Sequence, residues 1–263
     1  MISTSPARGL EAIPNLFTLL NLVFGCIAIV FILQTGETIV ILQQDGVSDV
    51  NLPEKITWGS LCIFGAAAID FLDGFIARLF RSTSNMGKQL DSLADLVSFG
   101  VAPGLIIYQL LRISFAREAG GLDVPMIWLL PAVLIPCAAA WRLAIFNLND
   151  EQESSFRGVP TPAVGLVIAS FPLIIHFQTL NLQFTLITQW LLYTTIILLS
   201  FLMVSGLPLM SMKVKDFSIR NNLGRYVLLV LGIVGAIALK WVAVPAIFIL
   251  YVLLSLVFKN KNS

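Results

Sequence analysis

Charged residues are scarce in this chain. Asp, Glu, Lys and Arg make up 12% of 263 positions, about half of what a soluble domain carries. The net charge is +1 and no basic cluster offers a footprint for nucleic acid. Cysteine is limited to Cys26, Cys62 and Cys137, each inside an apolar stretch. Their spacing fits neither a zinc site nor a disulfide framework, so they are expected to be buried free thiols. The one histidine, His176, falls near the end of an apolar run and reads as an interfacial residue rather than a ligand. Long linkers, low-complexity tracts and tandem repeats are all missing.

What the chain has in abundance is apolar surface: 57% hydrophobic residues and a mean hydropathy of +0.90. That composition predicts an integral membrane protein with short loops and no room for a separate soluble domain. Six apolar segments are long enough to cross a bilayer, at about 13–33, 57–80, 92–114, 126–147, 162–180 and 187–210. A seventh stretch, about 226–258, is interrupted by Lys240–Trp241 and reads as a hairpin of two shorter spans, about 226–239 and 242–258. The first run is long enough to remain as a span rather than leave as a signal peptide. The segment before it, SPARGLEAIPNLFT, is mildly amphipathic; a surface helix and, for residues 1–8, a frayed terminus both fit.

Eight spans and the positive-inside bias fix an expected orientation. With the N-terminus inside, the cytoplasmic side holds Arg8, Arg78, Arg81, Lys88, Arg142, Arg157, Lys213, Lys215, Arg220, Arg225, Lys259 and Lys261. The opposite side holds Lys55, Arg112, Arg117 and Lys240. The C-terminus is then also cytoplasmic.

Against this background one run stands out: DFLDGFIARLFRSTSNMGKQLDSLAD, residues 70–95. A carboxylate at mid-helix in a membrane costs about 2.5–3.5 kcal/mol, and here there are four. Asp70 and Asp73 are three apart and share a helix face with Gly74, with Ala77 and Arg78 one turn on. Gly87, Asp91 and Asp95 repeat every four residues and form a stripe on the next helix. The polar segment Leu79–Met86 between them reads as a tight turn, so the hairpin brings the two acidic faces together. Hard divalent cations take oxygen ligands of this kind, and four carboxylates can hold two ions in the spacing that clamps a phosphoryl group. Gly74 and Gly87 leave the backbone open to a bulky ligand, and Arg78 offers a planar fork suited to phosphate.

The pattern Asp70-x2-Asp73-Gly74-x2-Ala77-Arg78-x8-Gly87-x3-Asp91-x3-Asp95 resembles the signature of the CDP-alcohol phosphotransferase family at every fixed position and gap. The resemblance covers about residues 10–210. Ile13–Thr18 (IPNLFT) resembles the entry of many members. Ser98–Pro103 (SFGVAP), Trp141–Asn147 (WRLAIFN) and Phe156–Pro162 (FRGVPTP) are similar to the membrane-embedded phosphatidylserine synthase branch, whose commoner second segment has Arg where this chain has Ile145.

The resemblance implies an all-α polytopic bundle: a six-helix family core, here with a C-terminal hairpin, about eight transmembrane helices. The expected division is 1–210 for the family membrane domain and 211–263 for a basic cytoplasmic loop and the hairpin. The resemblance further implies a homodimer in the inner membrane, acting on CDP-diacylglycerol and L-serine to give phosphatidylserine and CMP. Asp70, Asp73, Asp91 and Asp95 would hold two Mg²⁺ or Mn²⁺ ions, with Asp95 as general base. A carboxylate of pKa about 4 is a weak base for an alcohol, so proton transfer must be concerted with attack or aided by metal. Gly74, Ala77, Arg78 and Gly87 would shape the nucleotide pocket. Asn15 and Thr18 either reach the same nucleotide or merely cap and pack span 1. Arg142 and Arg157 are candidates for the serine carboxylate, or ordinary inside-facing anchors. Two other readings stay open: glycerol-3-phosphate or an inositol compound as acceptor, and, from another class, a cation transporter. Transporters place their sites near the midplane and often at repeat interfaces, whereas these carboxylates gather at one edge of the spans.

Overall fold

The computed structural model describes residues 6–34, 40–42, 48–50, 52–80, 85–117, 124–148, 158–207, 232 and 234–258. Helix α1 spans Pro6–Leu33, followed by a two-stranded antiparallel ribbon, β1 (Val40–Leu42) with β2 (Ser48–Val50), which the sequence reading did not foresee. Helix α2 is Glu54–Phe80, α3 is Asn85–Leu96 and α4 is Ala102–Ala116. Then come α5 (Leu134–Leu148), α6 (Thr161–His176), the short α7 (Gln183–Leu186) and α8 (Gln189–Val204). Residues 234–239 form α9 and Ala243–Phe258 form α10. The architecture is an all-α polytopic membrane bundle: α1, α2, α3–α4, α5, α6 and α8 make the core, with the α9–α10 hairpin beside it.

The apolar stretches 15–33, 54–76, 86–116 and 130–148 are helical and long enough to cross a bilayer. Helices α6 and α8 are shorter, at 16 residues each. The bundle is apolar on both sides: Leu16, Val30, Trp190 and Phe201 face outward while Ile63, Phe99, Ile106 and Ile168 are fully buried. With lipid as apolar as leucine, close packing rather than hydrophobic burial distinguishes the interior. Small residues supply that packing. A Cβ on Gly25 of α1 would run into Ser98 Oγ, and one on Gly165 of α6 would lie 3.0 Å from the Phe99 backbone.

The third span differs from expectation. It is not confined to 92–114 but runs from 86 to 116 as one 31-residue helical stretch. Its first turns carry Lys88, Gln89 and Asp91, which an apolar window misses. It is interrupted by a π-helical turn, Val97–Val101, whose wider hydrogen-bond ring brings the Ala102 N–H to the Val97 carbonyl. Ser98, Phe99 and Gly100 of this turn are buried where α1, α5 and α6 converge. The inserted residue shifts the helix phase, so α3 and α4 can each present their own face to the interior.

Other boundaries move for local reasons. The fourth span begins as two 3₁₀ turns, Met126–Trp128 and Leu130–Val133, because Pro125 and Pro131 remove helical donors. The fifth ends at His176, not 180: Gln178, Leu180 and Asn181 all take positive φ. The sixth ends at Val204, after which Gly158 and Val159 bond back to Leu207 and Leu202. At φ +74°, and with a Cβ there 2.6 Å from the Met203 carbonyl, that position needs Gly158.

The C-terminal stretch folds back on itself. Lys240 has φ +48°, and a Cβ on Gly235 would lie 3.8 Å from the Ala243 Cβ. In a straight helix those eight residues rise about 12 Å. Trp241 at the tip packs on Phe64 and Phe177. The cysteines are all free, but not all buried as expected: Cys26 and Cys137 are exposed and Cys62 is partly covered. In a bundle whose outer face is apolar, a thiol in an apolar run can face either way.

Replacing Gly25 with Leu forces α1 away from Ser98 and is expected to lower stability by about 1–3 kcal/mol. Gly206→Ala, where a Cβ meets nothing within 4 Å, should stay within about 0.5 kcal/mol. Denaturation of both variants in the same detergent checks this; equal midpoints would refute the close-packing account.

Candidate active site

Helices α1, α2 and α3 meet at the end of the bundle where α1 begins. There the two acidic faces come together as the spacing requires. One carboxylate oxygen each from Asp70, Asp91 and Asp95 lies within 4.8 Å of the others. Asp73 stands beside this group, an electrostatic neighbour of Asp70 and Asp91, and accepts a hydrogen bond from the Thr18 hydroxyl of α1. Asp73 and Asp95 are buried, while Asp70 and Asp91 keep partial access.

Three carboxylates at this separation repel one another strongly in a low-dielectric setting. The donor set is all hard oxygen, suited to Mg²⁺, Mn²⁺ or Ca²⁺ rather than to a soft metal. Asn21, fully buried on α1, supports the same use. Its amide donates to Asp95 Oδ1 at 3.2 Å and its backbone carbonyl accepts from Ser98 Oγ at 3.1 Å. Its own Oδ1 is buried without a partner among the described residues.

A second side of the site lies between α3 and α5. A cavity of about 150 Å³ is bounded by Asp91 and Asp95, with Lys88, Ser92, Arg142 and Asn147 as its other polar lining and Leu143 and Phe146 as its apolar wall. Asn147 is clamped to Ser92, its amide donating to Ser92 Oγ at 2.8 Å. Lys88 Nζ donates to the Asn147 carbonyl at 3.5 Å. Arg142 donates through one terminal nitrogen to Thr161 Oγ1 at 3.1 Å, and its guanidinium is an electrostatic neighbour of Asp95. Its Nε is buried without a partner among the described residues.

Of the residues singled out from sequence, the four aspartates, Thr18 and Arg142 converge here. Thr18 arrives as a donor to Asp73. Asn15 lies one turn before it on α1 and is half-exposed. Gly74 is exposed and a Cβ there meets nothing within 4 Å; Gly87 is half-buried in the first turn of α3. The side chains of Ala77 and Arg78, and the whole of Arg157, lie outside the described residues. His176 is at the opposite end of α6 from Thr161, stacked edge-on against Phe177. Sequence reasoning missed Asn21, although an amide three residues from Thr18 in an apolar span is a signal. It also did not single out Ser92 and Asn147 as a pair, because they are 55 residues apart.

Comparison with known proteins finds relatives along most of the chain. The family model for CDP-alcohol phosphatidyltransferase matches residues 11–201. A Helicobacter pylori protein named CDP-diacylglycerol–serine O-phosphatidyltransferase is 30% identical over 207 residues, 77% of this chain and 73% of its own length. A Mycobacterium bovis protein of the same name is 30% identical over 254 residues, 90% of this chain and 76% of its own. An archaetidylserine synthase from Methanothermobacter thermautotrophicus is 28% identical over 189 residues, 71% of this chain and 69% of its own. The matched region contains every aspartate of the cluster and both sides of the cavity, and the chain therefore belongs to the CDP-alcohol phosphatidyltransferase family.

Proposed function

We propose that this protein transfers the phosphatidyl group of CDP-diacylglycerol to the hydroxyl of L-serine, giving phosphatidylserine and CMP. The observation that carries the reading is the convergence of Asp70, Asp91 and Asp95 beside a cavity that contains both carboxylates and cations. Relatives bearing the serine-transferase name along most of their length support serine as the acceptor.

The roles follow from placement. Asp70, Asp73, Asp91 and Asp95 would hold two Mg²⁺ or Mn²⁺ ions, which when bound supply positive charge to the donor's pyrophosphate. Gly74, Ala77, Arg78 and Gly87, with Asn15 and Thr18, would form the nucleotide side; the open space over Gly74 supports this. Asp95 borders the cavity, and Asn21 occupies its Oδ1. Its other oxygen takes the proton of the serine hydroxyl as that oxygen bonds to the phosphorus carrying diacylglycerol. The bond from that phosphorus to the bridging oxygen breaks, and CMP leaves with the electron pair. Arg142, joined by Arg157, would pair with the serine carboxylate. A zwitterion suits a cavity lined by Lys88 and Arg142 on one hand and Asp91 and Asp95 on the other; a phosphorylated acceptor would call for more cations. The bias of Lys and Arg supports an inner-membrane location with both termini cytoplasmic and the acidic end at the inner leaflet, where lipid donor and soluble serine meet.

Release of CMP from CDP-diacylglycerol should require serine and be abolished by EDTA, returning with Mg²⁺ or Mn²⁺. Release that survives chelation would refute the metal role, and release driven by glycerol-3-phosphate or inositol in place of serine would replace the acceptor. Asp95→Asn should lower turnover by about 10²–10⁴-fold while CDP-diacylglycerol binding stays measurable; near-normal turnover would remove the base role. Arg142→Gln should raise the KM for serine more than that for the lipid, by about tenfold or more for loss of a charged hydrogen bond. An unchanged serine dependence would argue that Arg142 is only an anchor.

A further inference from the structure

Arg142 and Asn147 both line the cavity from α5, five residues and so about 7.5 Å apart along the helix axis. The function proposed above gives the acceptor carboxylate to Arg142 and its hydroxyl to Asp95, which leaves its third group, an ammonium, to be placed. Asn147 has the oxygen for it. The Asn147 amide nitrogen donates to Ser92 Oγ at 2.8 Å, which holds the side chain against α3. The Ser92 hydroxyl has a single proton and two acceptors in reach, the Lys88 carbonyl at 3.2 Å and Asn147 Oδ1 at 3.1 Å. Asn147 Oδ1 has two lone pairs, so at least one is left unfilled among the described residues. The position also favours a cation. Asn147 lies in the last turn of α5, which ends at Leu148, and the final carbonyls of a helix carry partial negative charge. One ammonium is already drawn to them, since Lys88 Nζ donates to the Asn147 carbonyl at 3.5 Å. The charge of Lys88 is offset by Asp91, which lines the same cavity from the next turn of α3.

We propose that Asn147, clamped by Ser92, is a specificity-determining residue whose Oδ1 accepts a hydrogen bond from the ammonium group of the acceptor. The inference rests on the function proposed above and deepens it. Carboxylate at Arg142, hydroxyl at Asp95 and ammonium at Asn147 are three points that an amino acid with a hydroxyl satisfies together. Its consequence is specific. An acceptor without the ammonium covers Asn147 Oδ1 and gives it no donor, and a site built around a hydrogen bond rejects the analogue that lacks it. Removing Asn147 therefore weakens the amino acid and spares the analogue.

The test uses the full chain in detergent with CDP-diacylglycerol and Mn²⁺, following CMP release as L-serine is varied. L-glycerate, in which a hydroxyl replaces the ammonium, is added as a competitor. Asn147→Ala should raise the KM for serine about tenfold or more, for loss of a charged hydrogen bond. The inhibition constant of L-glycerate, kcat and the KM for the lipid should stay within about twofold of wild type. Ser92→Ala, which frees the amide to turn, should shift the serine KM the same way but less. Ile145→Ala, exposed on the same helix, should shift nothing. Asn147→Asp keeps an acceptor oxygen, loses the donor to Ser92 and adds negative charge; it should leave the serine KM within about threefold while weakening L-glycerate. An unchanged serine KM in Asn147→Ala overturns the proposal. So does equal weakening of serine and L-glycerate in either variant, which is the mark of a clamp that only holds α3 to α5. Wild-type protein that ignores serine and releases CMP with another acceptor would instead overturn the proposed function.

Discussion

Four carboxylates drawn into one end of an apolar bundle are the constraint on which the rest of the structure depends. Left alone, Asp70, Asp91 and Asp95 would push α2 and α3 apart, since their oxygens stand within 4.8 Å in a medium that screens poorly. The packing around them resists that separation. Gly25 and Gly165 let α1 and α6 close on the π-helical turn, and Asn21 ties α1 to both Asp95 and Ser98. The neutral donors Thr18 and Asn21 orient Asp73 and Asp95 without bringing a positive charge of their own. A lysine or arginine bonded at the same points would have quenched the charge that a divalent cation needs.

The site has two sides because α3 is shared. Its Asp91 and Asp95 face α1 and α2 in one direction and the cavity against α5 in the other. On the proposed reading, the open space over Gly74 would take a large donor whose tails stay in lipid. The cavity against α5 is small and lined by polar groups of both signs, which would suit the acceptor. On the same reading, Asp95 on the border between them would reach both reactants, which is what a direct displacement at phosphorus asks of a base. The π-helical turn, two residues past Asp95, sits where such turns often do, next to chemistry.

The C-terminal hairpin packs beside the bundle, against α6. Its tip is pinned by Trp241 on Phe64 and Phe177 at the end remote from the aspartates. From there α10 descends along α6 with its polar face inward.

The sequence by itself determined the membrane class, the number of core spans, the hairpin break at Lys240–Trp241 and the two acidic stripes. Each of these is local: hydropathy over some twenty residues, or side chains three and four apart on one helix. It could not determine which way an apolar residue faces, because lipid and interior are alike to it; hence Cys26 and Cys137 turned out exposed. Nor could it bring Ser92 to Asn147 or Asn21 to Asp95, pairs separated by 55 residues or more. Those meetings depend on the relative rotation of helices set by close packing over their whole length, and only the tertiary structure decides it.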